Sequence, residues 1–295
     1  MTAYDAAATV GLVVRRSPRQ LAAEPFYSEL IGGFEEVLAP RGLQVLLQVV
    51  DEMPRELDSY RRWAATGAVR AAVLTDLVPD DPRPALLAEL GLTGILLGEP
   101  GVTVGIPAIR TAGYGPMGDA VRRLSALGHT RLARVSGPSL FVHTQERTRG
   151  FLDSTRELGL SAVIEEGDYS AESGARAVRR LLASSTPPTA IIFDNDIMAI
   201  AGLDAAREAG VAVPAELSIV AWDDSQQCQL ASPPLSAMSH DVHARGMLAA
   251  HTLLAVLDGE AIGDVFTEPP VFVTRGSTAP LEARPQLAPT IAPIK

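Results

Sequence analysis

The sequence predicts an α/β protein made of two doubly wound lobes with parallel sheets, joined by a hinge of several backbone crossings. Three observations lead there. Short apolar runs alternate with longer stretches whose apolar residues recur at helical spacing, the pattern of βαβ units and hence of parallel sheets. That alternation occurs twice in tandem, restarting at Leu132. After the second series is complete, a further strand, helix and strand follow, which predicts that the chain crosses back to the first lobe and returns.

Taken in order, Thr9 to Val14 is the first buried strand, and it opens into a polar loop, Arg15 to Pro25. Phe26, Leu30, Phe34, Val37 and Leu38 then repeat at helical spacing until Gly42 stops the helix. Leu43 to Val50, Ala68 to Thr75 and Thr93 to Leu97 read as strands, separated by helices at Arg55 to Ala65 and Pro84 to Leu90. Gly98 to Pro116 is rich in Gly and Pro and is the least regular stretch; Met117 to Leu127 is helical up to Gly128. The second series has strands at Leu132 to Ser136 and Ala162 to Glu165, and helices at Glu146 to Leu158 and Ala171 to Ala183.

The most informative segment comes next. Ala190 to Phe193 is too short for a helix and apolar throughout, so it reads as a strand buried on both faces. It ends in Asp194-Asn195-Asp196, after which Ile197, Ile200, Ala201 and Ala205 mark a helix that Gly210 and Pro214 terminate. Leu217 to Ala221 is the following strand and ends in Asp223-Asp224. Parallel strands that deliver acids and an amide at their C-terminal ends place those groups where open α/β sheets bind small molecules. Ser236 to Met238 is a short strand, Val242, Gly246, Ala249, Ala250, Leu253 and Leu257 form a helix, and Pro270 to Thr274 is the last strand. Residues 9–128 and 242–266 are thereby assigned to an N-terminal lobe, 129–239 and 269–279 to a C-terminal lobe, and 1–8 and 281–295 to tails.

Composition narrows the function classes. At 295 residues the chain exceeds what one ordinary core holds, and 47% hydrophobic residues supply two. A net charge of -10 repels phosphate backbones, so this stretch by itself is not expected to grip nucleic acid. The one cysteine, Cys228, can form no internal disulfide, and the first residues lack a basic region followed by an apolar one. No apolar run approaches a membrane span, and the expected location is the cytoplasm.

Several strings occur in a telling order: Val10-Gly11-Leu12-Val13-Val14, Glu24-Pro25-Phe26-Tyr27-Ser28-Glu29-Leu30, Leu127-Gly128-His129 and Glu146-Arg147-Thr148-Arg149-Gly150-Phe151. They continue with Gly167-Asp168-Tyr169-Ser170-Ala171-Glu172-Ser173-Gly174, Asn195-Asp196-Ile197-Met198-Ala199, Trp222-Asp223-Asp224, Ser232-Pro233-Pro234-Leu235 and Arg275-Gly276-Ser277-Thr278. Together they resemble the effector-binding region of the LacI/GalR family of bacterial transcriptional regulators, over roughly Thr9 to Pro280. The resemblance implies two Rossmann-like lobes of the periplasmic-binding-protein-like type I fold and a sugar or sugar-like effector held between them. It also implies a homodimer, with the helices Phe26 to Leu38 and Ile197 to Ala209 as candidate faces. Operator DNA would be reached only through a helix-turn-helix domain, which this sequence does not contain; the expectation is the core of a repressor-like regulator.

The same resemblance implies roles for particular residues. Phe26 and Tyr27, with Tyr27 preferred, match an aromatic pair lining the cleft, where a ring suits the C–H face of a sugar or a base plane. The alternative for Phe26 is that it is simply the first core residue of its helix. Arg147 matches an arginine whose donor fork points into the cleft, the alternative being an ion pair with Glu146 or Asp153. Tyr169 matches an aromatic of the second-lobe wall. Asn195 and Asp223 match positions that hold polyol hydroxyls, while Asn195 and Asp196 could instead cap the following helix. The first lobe departs from the family in reading Ala112-Gly113-Tyr114-Gly115-Pro116 where an acid is usual, and Asp51 and His240 also change the expected polar lining.

Three rivals are weaker. Gly113-Tyr114-Gly115-Pro116-Met117-Gly118 satisfies a dinucleotide fingerprint, but Pro116 removes an amide donor and the next strand ends at Val135-Ser136 without a ribose-binding acid. A transporter's solute-binding protein would share the lobes and hinge but not the Ser-Pro-Pro-Leu and Arg-Gly-Ser-Thr strings. His240 and His243 with Asp223 or Asp241 make a poor metal set. Nucleophile, base and orienting group cannot be assembled from spacing, so no enzyme, cofactor or metal is expected.

Overall fold

The computed structural model describes residues 8–99 and 105–281, so of the two tails only Ala8 and Leu281 lie among the described residues, and part of the irregular Gly98 to Pro116 stretch lies outside them. In the first lobe the chain runs β1 (Thr9–Arg15), α1 (Pro18–Ala23), α2 (Pro25–Leu38), β2 (Gln44–Val50), α3 (Met53–Thr66), β3 (Ala71–Leu74), α4 (Arg83–Glu89), β4 (Thr93–Leu97) and β5 (Ala108–Arg110). It continues with α5 (Tyr114–Ala126), β6 (Arg131–Ser136), α6 (Val142–Glu157), β7 (Ser161–Glu166), α7 (Ala171–Leu182), β8 (Ala190–Phe193), α8 (Asp196–Glu208), β9 (Ser218–Trp222), α9 (Gln226–Leu230) and β10 (Ser236–Ser239). Last come α10 (Val242–Leu257), β11 (Val265–Phe266) and β12 (Val271–Val273).

Two six-stranded sheets result, ordered β2-β1-β3-β4-β5-β11 and β7-β6-β8-β9-β10-β12. The two orders match strand for strand, so the lobes repeat one topology. Every pairing in the first sheet is parallel. In the second, β12 alone is antiparallel, with Ala237 opposite Val273. The reason is positional: β12 arrives from the other lobe at the sheet's edge and needs no crossover helix of its own.

Three crossings join the lobes, between β5 and α5, between β10 and α10, and between β11 and β12. Helix α5, which the sequence boundary at residue 128 places in the first lobe, belongs to the second. Its Met117, Ala120, Val121 and Leu124 share a buried core with Leu132, Phe151, Ile192 and Trp222. The first crossing therefore follows β5 directly, because β5 completes that part of the first sheet and the apolar stripe of α5 has its partners on the other side. Helix α10 returns to the first lobe and packs with α2, where Leu30, Phe34, Ala249, Ala250 and Leu253 are buried together. The backbones approach so closely that a Cβ on Gly33 would lie 2.1 Å from the His243 carbonyl oxygen. Any side chain there would force the helices apart.

The strands form where apolar residues are continuous and buried on both faces, as Val10, Leu12, Val13 and Val14 of β1 and all of β8 are. Short elements were not foreseen from the sequence. Helix α1 lies inside the expected polar loop and is held by a capping box between Ser17 and Gln20. Among the described residues no helix is long and apolar enough to cross a membrane.

Candidate functional site

Residues just beyond the C-terminal ends of β1, β3 and β4 and of β8, β9 and β10 line one cleft between the lobes, with about 930 Å³ of empty space that is partly open to solvent. All seven residues expected from the sequence line it: Phe26 and Tyr27 from α2, Arg147 from α6, Tyr169 before α7, and Asn195, Asp223 and His240 at strand ends. Among the described residues four non-glycine positions have positive φ, and three of them belong to this cleft: Asp76 at 50°, Tyr169 at 68° and Asp223 at 71°. Backbone held in that region by a well-packed surround is typical of ligand sites.

The first-lobe wall is an ion network. Arg16, one residue past β1, lies 2.8 Å from Asp76 Oδ2 and 3.1 Å from Glu24 Oε1. Burial opposes its charge, but Asp76, Tyr27 and Glu24 outweigh that and hold the guanidinium protonated. Burial in turn pushes the Glu24 carboxyl up to about 7, against the pull of Arg16. Tyr27 donates to Asp76 across 3.4 Å and is only 4% exposed, so most of its ring is committed to the lobe. Phe26 keeps more exposure and faces the Arg245 guanidinium, 5.9 Å from its ring centre. Of the aromatic pair, Phe26 is thus the more open to a ligand, contrary to the sequence preference for Tyr27. The difference follows from register: Tyr27 falls on the core face of α2 and Phe26 on its cleft edge.

The second-lobe wall is built on a buried pair. Asp194 takes two bonds from Arg134, at 2.8 and 2.6 Å, and a third from the Gly137 amide at 3.0 Å. Burial disfavours its charge, yet Arg134 and Arg147 hold it below the usual carboxylate range. Arg147 donates to the Asp194 carbonyl at 3.1 Å and lies over the Trp222 ring, 4.0 Å from its centre. Its feared surface pairing does not occur, since Arg149 takes Glu146 and Arg156 takes Asp153. Asn195 does cap α8, accepting from the Met198 amide at 2.9 Å, and its amide group donates to the Tyr169 carbonyl at 3.1 Å. The capping alternative is therefore realised, and it fixes Asn195 at the cleft edge. Asp196, beside it, is pushed up to about 6 by burial and by Asp223.

Tyr169 closes the wall between the lobes. Its hydroxyl meets His143 Nε2 at 2.8 Å, the Arg16 guanidinium of the first lobe lies 4.9 Å from its ring centre, and its ring fills the space beside Gly137. A Cβ on Gly137 would come within 2.1 Å of that ring. His143 is pushed down to about 4 by burial, then by Arg147, and is neutral at physiological pH. His240 Nε2 and Asp223 Oδ1 are 2.7 Å apart, while His243 pairs instead with Glu36 at 2.9 Å, so the two histidines do not converge. Asp51 lies outside the cleft and pairs with Arg55 at 3.3 Å. Of the glycines of the dinucleotide fingerprint, Gly118 has a packing role, since a Cβ there would meet Ser154 Oγ at 2.7 Å, while a Cβ on Gly115 would meet open space.

Sequence reasoning missed Arg16, Glu24, Asp76, His143, Trp222 and Arg245 as cleft residues. The strand-end rule used for Asn195 and Asp223 finds Arg16 and Asp76 when applied to β1 and β3. Arg245 carries a different signal, since it sits three residues after Val242 and next to Gly246, on the buried stripe of α10. Three buried polar atoms facing this region have no partner among the described residues: Arg147 Nε, Asp196 Oδ2 and Arg245 Nε.

The protein-family profile described as a periplasmic binding protein-like domain matches residues 121–278. Among curated proteins, the HTH-type transcriptional regulator CelR of Thermobifida fusca is 30% identical over 85% of this chain and 75% of its own length. The HTH-type transcriptional regulator MalR of Streptomyces coelicolor is 34% identical over 69% of this chain, which spans 61% of that protein. Among solved structures, a LacI family transcriptional regulator from Bifidobacterium animalis is 35% identical, with a TM-score of 0.84 over 93% of this chain and 98% of its own. A complex of the regulator CelR with cellobiose is 28% identical, with a TM-score of 0.83 over 93% of this chain and 86% of its own.

Proposed function

The chain belongs to the LacI family of transcriptional regulators, as an effector-binding core of the periplasmic-binding-protein-like fold, and from that premise we propose that its inter-lobe cleft seats a sugar or sugar-like effector. One observation carries this reading: unpartnered buried donors and an acceptor, on Arg147, Asp196 and Arg245, converge on one cleft walled by both lobes. Hydroxyls of a ligand would complete them, and an incorrectly placed hydroxyl leaves a buried group unmatched at about 1–3 kcal/mol. Phe26 and Trp222 offer apolar faces to a ring. The cellobiose held by the related CelR supports the sugar class.

The mechanism follows from the three crossings. Because each lobe is a separate core, the lobes can turn about these strands, and a ligand with contacts on both walls favours the closed arrangement by its differential affinity. In a full-length cytoplasmic homodimer that change would alter the spacing of DNA-binding heads. The apolar residues of α2 and α8 are spent inside their own lobes, leaving mainly Ser28, Glu29 and Glu36, and Asp204, Arg207 and Glu208, exposed. A dimer using these helices would therefore be polar at those points, and sedimentation at micromolar concentration tests for it. The role proposed is binding alone.

A thermal-shift panel of neutral and acidic mono- and disaccharides, cellobiose included, tests the reading. A true effector at 100 times its Kd should stabilise the chain by about 2.7 kcal/mol, and Arg147→Ala should reduce that gain. A panel without any shift contradicts it.

A further inference from the structure

Arg245 differs from every other arginine of the cleft. Arg16 has Asp76 and Glu24, and Arg147 has the Asp194 backbone oxygen, the Asp194 carboxylate at 4.0 Å and the Trp222 ring. The Arg245 side chain makes no hydrogen bond or ion pair among the described residues, its Nε is buried, and its one ring contact is with Phe26. It projects from α10 of the first lobe into the cleft that Arg147 enters from the second.

Most acids of this cleft are occupied, Asp196 with its unpartnered Oδ2 being the exception. Asp223 is engaged with His240 at 2.7 Å, Asp76 with Arg16 at 2.8 Å and Asp194 with Arg134 at 2.6 Å. Glu99, also on the cleft, is paired with Arg110. Burial, then repulsion from Arg147, lowers Arg245 to about 10, while Asp223, Tyr27 and Asp76 draw it upward, so it remains a cation at neutral pH. Arg245 is half-buried, and a guanidinium whose Nε is buried without a partner and whose charge meets no bonded carboxylate is uncommon in folded proteins.

We propose that Arg245 and Arg147 form an anion-accepting subsite, one guanidinium from each lobe, and that the effector is an acidic sugar bearing a carboxylate or phosphoryl group. This rests on the sugar reading of the same cleft. A planar fork matches either oxyanion in two-point contact, which a neutral hydroxyl cannot offer. Because the two cations stand on different lobes and repel each other when the cleft is empty, an anion between them favours closure beyond what hydroxyl contacts supply. Arg245 is then a specificity residue that selects acid over neutral sugar.

Calorimetric titration of the 295-residue chain with paired probes tests this: glucose against glucuronate and glucose 6-phosphate, and galactose against galacturonate. At least one acidic member should bind ten-fold or more tightly than its neutral parent, and which acid wins separates a carboxylate from a phosphoryl effector. Arg245→Leu should erase that preference, costing the acidic probe at least ten-fold more affinity than its neutral parent, and Arg245→Lys should retain part of it. Neutral sugars bound as tightly as acids overturn the assignment and leave the sugar reading standing. An equal loss for both classes in Arg245→Leu also overturns it, marking Arg245 as a latch toward Asp223. Binding by no probe overturns the sugar reading itself and this inference with it. Arg245→Gln, with circular dichroism on each variant, guards against loss of fold as the cause.

Discussion

Each lobe pairs an arginine, from its first strand or just past it, with an aspartate just past its third strand, and the two pairs are used differently. In the second lobe Arg134, on the first strand β6, holds Asp194 at the end of the third strand β8; both side chains are 0% exposed and the pair lies behind the cleft wall. In the first lobe Arg16, just past β1, holds Asp76 just past β3, but both stand at the cleft surface and share Glu24. One shared topology has thus produced a pair sealed behind one wall and a pair on the cleft beside the titratable Glu24 on the other. The lesson is that a repeated fold repeats architecture, while burial decides whether a charged pair is scaffold or ligand surface.

The largest effect that tests this contrast is loss of the buried acid. Asp194→Ala strands the Arg134 charge in the second core and should cost about 3–5 kcal/mol in urea unfolding. Asp76→Asn leaves Arg16 with Glu24 and should cost less than half of that; equal losses would break the contrast between the sealed pair and the cleft pair.

Next in size are the cleft residues proper. Arg147→Ala and Asp223→Ala should each weaken effector binding by about 1–3 kcal/mol in calorimetry while leaving the unfolding midpoint nearly unchanged. Unchanged affinity in both would remove them from the site.

The smallest effect sharpens the titratable side. Glu24 has a folded pKa of about 7, raised by burial above its ordinary 4.5. A carboxyl raised on folding contributes its stability in the protonated form, fully below about pH 4.5, and loses it as pH rises through 7. Because Arg16 remains beside it, the change should be on the order of 1 kcal/mol. Glu24→Gln should flatten the stability profile across that window, and a profile with the wild-type slope would assign the titration to another group, such as Asp196.

Much of this was legible in the chain. Long strands and helices announced themselves by continuous or periodic apolar residues, and the surplus strand-helix-strand foretold the return crossing. Some of the strings that carried the family resemblance are structural: Ser277 accepts from the Ser236 amide and donates to the Ile219 carbonyl, Arg275 pairs with Asp224, and His129 bridges Thr189 and the Ala279 carbonyl. They fix the last crossing, so their order reported the fold. What escaped was short or contextual. Strands β5 and β11 have three and two residues, too few to show a period. The lobe of α5 depends on where its stripe finds partners, and the position of Arg245 depends on how α10 meets α2; neither is encoded locally.

A crystal structure of the chain with the tightest ligand from the sugar panels tests the central claim most directly. The account predicts density between the lobes, touching Arg147 or Asp223 on one wall and Phe26 or Arg245 on the other. Density on the outer surface, or confined to one lobe, would contradict it.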